Sequence, residues 1–185
     1  ITHNESAPLP ELSKIPKFPY EIFERNSSRY NFGFVASSRG CPYNCIFCSQ
    51  RIISGQRFRF FPSETVIASI DELVNKYRLS AITFVDDSFL MNRKRVLELC
   101  EMMIKNGFHK KAIFDCQARS DTVDDETLKM LRAANFRTIH FGIETASERL
   151  MSAIDKRETV SQVKEGIMLA KKYGFQVSGT FILGL

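Results

Sequence analysis

No stretch of the 185 residues approaches the roughly 20 consecutive apolar residues that a bilayer-crossing helix needs, and no basic segment followed by an apolar one opens the chain. Neither a membrane span nor a secretory leader is expected from such a sequence, and a cytoplasmic location is. Cysteine is scarce and odd in number: five in all, with Cys100 and Cys116 far from the others. An odd, uneven set does not suit the disulfide framework of a small secreted domain. A structural zinc site closes with four ligands, usually as two paired knuckles. No second cysteine or cysteine-histidine pair exists, and His109 and His140 each stand alone, as packed or surface histidines do. No Asn-Gly or Asp-Gly turn joins two β-rich runs directly, which removes the strongest hairpin signal.

What is present fits one globular domain with a sizeable core: 44% of residues are hydrophobic and 25% charged. The formal charge of +5 could attract nucleic acid or an acidic substrate. Its one basic stretch with interleaved aromatics is "QRFRFF", where Arg57 and Arg59 stand among Phe58, Phe60 and Phe61. A strand or loop edge with outward arginines outweighs RNA contact there.

Residues 1–29 carry four of the six prolines, in "APLPELSKIPKFPY", without a sustained hydrophobic period. They are expected to form a proline-rich linker or N-terminal extension packed on a core formed by residues 30–185. The chain opens at Ile1 and ends in the apolar, strand-like "GTFILGL", which suggests a piece of a longer protein. In the core, short β-rich runs alternate with helical patterns, an α/β signature. Strands are expected at 31–37, 81–87, 111–117, 138–144 and 175–183. Between them, "SETVIASIDELVNKY" puts Val66, Ile67, Ile70, Leu73, Val74 and Tyr77 on one helical face behind Ser63 as N-cap. "NRKRVLELCEMMIKNG" repeats the device, from Asn92 as cap to Gly107 as stop. Further helices start at Asp124, run through "SERLMSAI", and end at Gly174. Strands separated by helices favour parallel pairing, in a doubly wound sheet or a partial barrel. In either, chemistry gathers at the C-terminal ends of the strands.

After the first of these runs comes "RGCPYNCIFCSQ", with Cys41, Cys45 and Cys48 spaced C-x3-C-x2-C. Soft thiolates select zinc or iron-sulfur clusters, and a compact loop can aim three of them at one centre. Cys116 could supply a fourth ligand from the end of the third strand, but a buried core cysteine is the better reading. A three-ligand cluster with one iron left open is the economical assignment. "CPYNCIFC", with Phe47 just before the last cysteine, resembles the signature loop of radical S-adenosylmethionine (SAM) enzymes. The rest of the core agrees with that resemblance from about residue 31 onward. It implies a partial (β/α)6 radical SAM barrel, truncated after the fifth strand. It also implies a 4Fe-4S cluster on Cys41, Cys45 and Cys48, whose fourth iron binds the amino and carboxylate groups of SAM.

The same resemblance suggests roles for other strand-end residues. Asp86 and Asp87 in "FVDDSFLMN" take the place of a motif that contacts the SAM amino group, with organisation of the turn into the next helix by Asp87 and Ser88 as the alternative. Their "DDSF" form resembles the branch that often bears a cobalamin-binding domain. Gln117 and Arg119 in "DCQARSD" would contact SAM or substrate, unless Arg119 pairs with Asp121 or Asp124. "FGIETASERL" resembles a family motif in which Glu144 accepts hydrogen bonds from ribose hydroxyls, and Lys156 matches a basic position that pairs with the SAM carboxylate. "VSGTFILGL" resembles the motif that lines the adenine, through Gly179, Phe181 and Ile182. The implied chemistry is reductive cleavage of SAM to methionine and a 5′-deoxyadenosyl radical that takes hydrogen from substrate. A cobalamin-dependent methyltransferase or related ring-forming enzyme follows, acting on a lipid, tetrapyrrole or other small molecule. Its cobalamin would sit in a domain outside the chain, and its electron donor would be a flavodoxin or ferredoxin. The alternatives are a methylthiotransferase acting on tRNA or a ribosomal protein, and a non-catalytic iron-sulfur or zinc module contacting RNA.

Overall fold

The computed structural model describes residues 8–26 and 32–185. Five strands form one parallel sheet in the order β1 (Phe34–Val35), β4 (Ala81–Phe84), β5 (Ile113–Ala118), β6 (Phe136–Glu144), β7 (Gln176–Phe181). Each joins its neighbour through a helical crossover, as parallel pairing requires. A separate antiparallel clip pairs β2 (Ser38–Arg39) with β3 (Arg59–Phe60), in the register Ser38 to Phe60 and Arg39 to Arg59. The expected five-strand α/β core is present as an open sheet, without barrel closure among the described residues.

The helices are α1 (Gln50–Ile53), α2 (Ser63–Asp71), α3 (Arg93–Lys105), α4 (Asp125–Ala133), α5 (Glu148–Ala153) and α6 (Val160–Lys172). Asn92 caps α3 by accepting from the Arg95 N–H, and Asp124 caps α4 through the Thr127 N–H. Both satisfy amides that an uncapped helix leaves orphaned. The expected cap Ser63 is instead the first helical residue, behind Pro62, and makes no capping bond. Proline suits this boundary because it has no amide to satisfy.

Strand alternation gives the sheet two unlike faces. Ile82, Phe84, Phe114, Cys116, Ile139 and Phe141 point into the core, where Phe84, Phe89, Phe114 and Phe136 meet with ring centroids 4.5–6.3 Å apart. Thr83, Asp115, Gln117, Thr138, His140 and Ser178 lie on the open face, half-buried or exposed. A polar row is compatible with that face because it keeps access to water.

The expected first strand, 31–37, is reduced to Phe34–Val35, and its start at Asn31 lies outside the described residues. Its continuation turns away to build the β2–β3 clip, which the sequence reading took only as a strand or loop edge. In the N-terminal extension, Leu12–Lys14 and Tyr20–Asn26 form 3-10 turns. Leu12 and Tyr20 are buried, and the Tyr20 hydroxyl donates to the Phe34 carbonyl at 2.7 Å, tying the segment to the edge strand. An apolar cavity of about 500 Å3 lies in that seam, lined in part by Phe18, Tyr20, Phe34 and Phe61.

Candidate functional site

The clip brackets the cysteine loop: everything from Gly40 to Phe58 leaves and returns through β2 and β3. Gly40 opens the loop at φ +86°, and a Cβ there would stand 2.3 Å from the Arg57 carbonyl oxygen. Only glycine combines that left-handed conformation with such close backbone contact. The loop's root is fastened from the strand-end turn after β4. Asp86 accepts from the Ser37 N–H at 3.1 Å, the Ser37 hydroxyl at 2.7 Å and the Ser38 hydroxyl, while Asp87 accepts from the Gly40 N–H at 2.8 Å. Arg95 of α3 closes the arrangement by donating to the Ser37 carbonyl at 2.6 Å and hydroxyl at 3.2 Å.

This geometry corrects the reading of Asp86 as a SAM contact. The residue is 1% exposed, its carboxylate is engaged by the loop's own root, and burial pushes it above the usual carboxylate range against the pull of Ser38 and Ser37. It acts on the loop instead of facing the open mouth. Asp87 is half-buried and shares the work of fastening the root.

At the loop's tip, Cys41, Cys45 and Cys48 are half-buried, whereas Cys100 and Cys116 lie wholly in the core. Burial pushes the Cys100 thiol up to about 12 and Cys116 well above its ordinary value, which suits cysteines packed on core faces. Burial also raises Cys41 and Cys45. At Cys41 the Tyr43 N–H and Arg119 oppose it, and at Cys45 the cations Lys156 and Arg119 do. No other side chain hydrogen-bonds to these three thiols among the described residues, and no three Cys, His, Asp or Glu groups there converge on a single ion. Three soft thiolates on one compact loop are the donor type that iron-sulfur clusters take. The donor set therefore fits a 4Fe-4S cluster on Cys41, Cys45 and Cys48.

Beside the loop lies a charge network built from the ends of β5 and β6 and the turn between α5 and α6. Lys156 is 4% exposed, with Nζ 3.3 Å from Glu158 Oε2 and 3.7 Å from Glu144 Oε1. Two left-handed residues, Asp155 (φ 50°) and Arg157 (φ 59°), flank it. Such strained residues persist only where surrounding structure fixes them. Here they turn Lys156 and Glu158 inward while Asp155 and Arg157 pair with each other outside, at 3.0 Å. Glu144 is itself left-handed (φ 65°), and its carbonyl accepts from the Ile182 N–H at 3.0 Å, joining the ends of β6 and β7. A Cβ at Gly142 would stand 2.6 Å from Glu144 Oε1, so that glycine leaves room for the carboxylate.

Arg119 is held more tightly than expected for a cofactor contact. Its Nε and Nη2 pair with Asp121 at 3.0 and 2.9 Å, and its guanidinium lies 3.5 Å over the Tyr43 ring. Gln117 is exposed on the open face of β5, opposite His140 in register. Gly179 and Ile182 line the outer end of β7, and Phe47 is 39% exposed beside the last cysteine.

The sequence reading missed Glu158 and the Thr83–Asp115–His140 row. Glu158 accepts from the Ser120 hydroxyl at 2.6 Å and the Asp121 N–H at 3.2 Å, and its side chain is fully buried. The signal available was the dense charge of "IDKRE", which reads as solvated surface until the backbone turns it inward. On the open face, the Thr83 hydroxyl donates to Asp115 at 2.9 Å, and His140 Nε2 lies 3.4 Å from the same carboxylate. Only strand register could have revealed that row.

A parallel α/β sheet bearing a three-cysteine loop beside buried carboxylate-lysine pairs defines a cofactor-binding core of the iron-sulfur type. The radical SAM superfamily model matches residues 35–185, and the chain belongs to that superfamily. It is 32% identical over 184 residues to an uncharacterized methyltransferase of Pyrococcus horikoshii, covering 100% of this chain and 39% of that protein. Identity to the hopanoid C-2 methylase of Rhodopseudomonas palustris is 30% over 181 residues, covering 95% of this chain and 34% of the relative. Among solved structures, the cobalamin-dependent SAM radical enzyme OxsB, with aqua-cobalamin and SAM bound, superposes with a TM-score of 0.81 at 23% identity. That match covers 93% of this chain and 26% of OxsB, and it shows a shared fold. The chain thus spans well under half the length of these relatives.

Proposed function

We propose that this chain is the cluster- and SAM-binding core of a longer cobalamin-dependent radical SAM enzyme, of methyltransferase or related type, acting on a small molecule or lipid. The observation that carries the reading is the placement of Cys41, Cys45 and Cys48 on a fastened loop beside the buried Lys156–Glu144 pair. When bound and reduced, the cluster supplies the electron that cleaves SAM. The chain's own residues do the rest. The three thiolates hold three irons and leave one without a protein ligand. Lys156 offers an ammonium to the SAM carboxylate, a charge-assisted contact. Glu144 offers acceptor oxygens to the ribose hydroxyls, and Gly179 with Ile182 lets the adenine lie close against β7. Gln117 and Phe47 would complete the rim of the same site. The cobalamin domain, the electron donor and the substrate belong to the whole protein. Methylase relatives and the cobalamin-dependent structural match support the choice of reaction type.

Anaerobic reconstitution of the full-length protein tests this. Iron and sulfide uptake followed by reductant-dependent formation of 5′-deoxyadenosine or methylated product is expected. A colourless, redox-silent metal, or a loaded cluster that never consumes SAM, overturns it.

A further inference from the structure

Between the cysteines, the loop tip touches the rest of the molecule through Ile46 and Tyr43. The Ile46 N–H donates to the Ile154 carbonyl at 3.1 Å, and the Tyr43 ring lies under the Arg119 guanidinium at 3.5 Å. Tyr43 sits between Cys41 and Cys45, so its position governs where both thiols point. Arg119 is not free to follow it: Asp121 grips it through two bonds, and Glu158 Oε2 lies 3.7 Å away. Glu158 in turn contacts Lys156, and Lys156 faces Glu144. A continuous path of contacts therefore runs from the cysteine loop to the residues assigned to SAM. Its members are buried or half-buried, where electrostatic contacts are least screened.

We propose that Tyr43 and Arg119 form a strut that locks the cysteine loop to the Glu158–Lys156 network, so that cluster retention and SAM binding support each other. Arg119 is then a positioning residue, and Tyr43 is the part of the loop it positions. The planar guanidinium is suited to this because it stacks on a ring while its edge still reaches carboxylates. The ring face makes the stacking contact, and the phenol hydroxyl adds a smaller interaction with the same Arg119. The coupling rests on the SAM assignment above, whereas the strut itself does not.

The experiment uses the full-length protein, anaerobically reconstituted, and follows iron loss to 2,2′-bipyridine with and without SAM. Tyr43→Ala is expected to speed iron loss by about tenfold, the scale of a desolvated cation-ring contact. Tyr43→Phe should stay within about twofold of the native protein, because it keeps the ring. SAM should slow iron loss in the native and Tyr43→Phe proteins and protect Tyr43→Ala less. Tyr43 lies in a half-exposed loop, and a thermal melt monitored by circular dichroism confirms that the fold survives. Equal iron loss in the native and Tyr43→Ala proteins overturns the strut, as does equal acceleration by both variants. Equal SAM protection in all three overturns the coupling. Should native cluster-loaded protein fail to cleave SAM, the functional assignment falls while the iron-loss comparison still judges the strut.

Discussion

At its root the cysteine loop hangs on Asp86 and Asp87, carboxylates that accept hydrogen bonds from neutral Ser37, Ser38 and Gly40. At its tip it meets Arg119 and, through it, a network in which the carboxylates Glu158 and Glu144 face the cations Arg119 and Lys156. The two ends look alike in sequence, as acidic residues: Asp86 and Asp87 after β4, Glu144 at the end of β6 and Glu158 in the turn between α5 and α6. Their partners make them different. The root is an architectural joint in which the Asp86 and Asp87 carboxylates are engaged by the loop's own amides and hydroxyls. The tip is a charge network with cationic groups at the edge of the mouth, and a network of that kind can exchange one of its anions for a ligand carboxylate. Fastening lies at one end and the proposed recognition of SAM at the other.

Several substitutions should separate the two ends, beginning with the largest effect. Cys45→Ala removes one of three cluster ligands, and iron bound after reconstitution should fall to background while the fold, read by circular dichroism, persists. Glu158→Gln breaks a fully buried ion network and should cost about 3 kcal/mol in denaturant unfolding, with weaker SAM binding by calorimetry. Gly40→Ala forces a Cβ into the Arg57 carbonyl at a left-handed position. It should cost about 2 kcal/mol without altering SAM affinity in whatever cluster-loaded protein remains. Asp87→Asn weakens one carboxylate-amide bond at the root, at about 1 kcal/mol, again with SAM affinity unchanged. Arg157→Ala, which removes an exposed pair with Asp155, should change stability by less than about 0.5 kcal/mol. A root variant that weakened SAM binding as much as Glu158→Gln would erase the distinction between the two ends.

Much of the fold could be read from the chain, because hydrophobic period and caps are local. Asn92, Asp124, Gly107 and Gly174 mark helix ends as expected, and the alternation of strands and helices dictates parallel pairing. The cysteine loop was legible because three thiols at that spacing have few other uses. The setting of Asp86 was not legible because a carboxylate's exposure depends on what folds over it, and Ser37 and Ser38 do so from 49 and 48 residues away. Glu158 was overlooked because its burial follows from two left-handed residues in a charged turn, a conformation that composition does not encode. The β2–β3 clip pairs two-residue strands about twenty positions apart, too short for any period to show.

The most direct test of the account is the electron paramagnetic resonance spectrum of the reduced cluster in the full-length protein, recorded before and after SAM is added. The account predicts that SAM shifts the spectrum of the native protein, because the iron lacking a protein ligand takes SAM. It also predicts a shift at only much higher SAM concentration for Lys156→Met. A native spectrum that SAM leaves unchanged, with the cluster fully assembled, would contradict it.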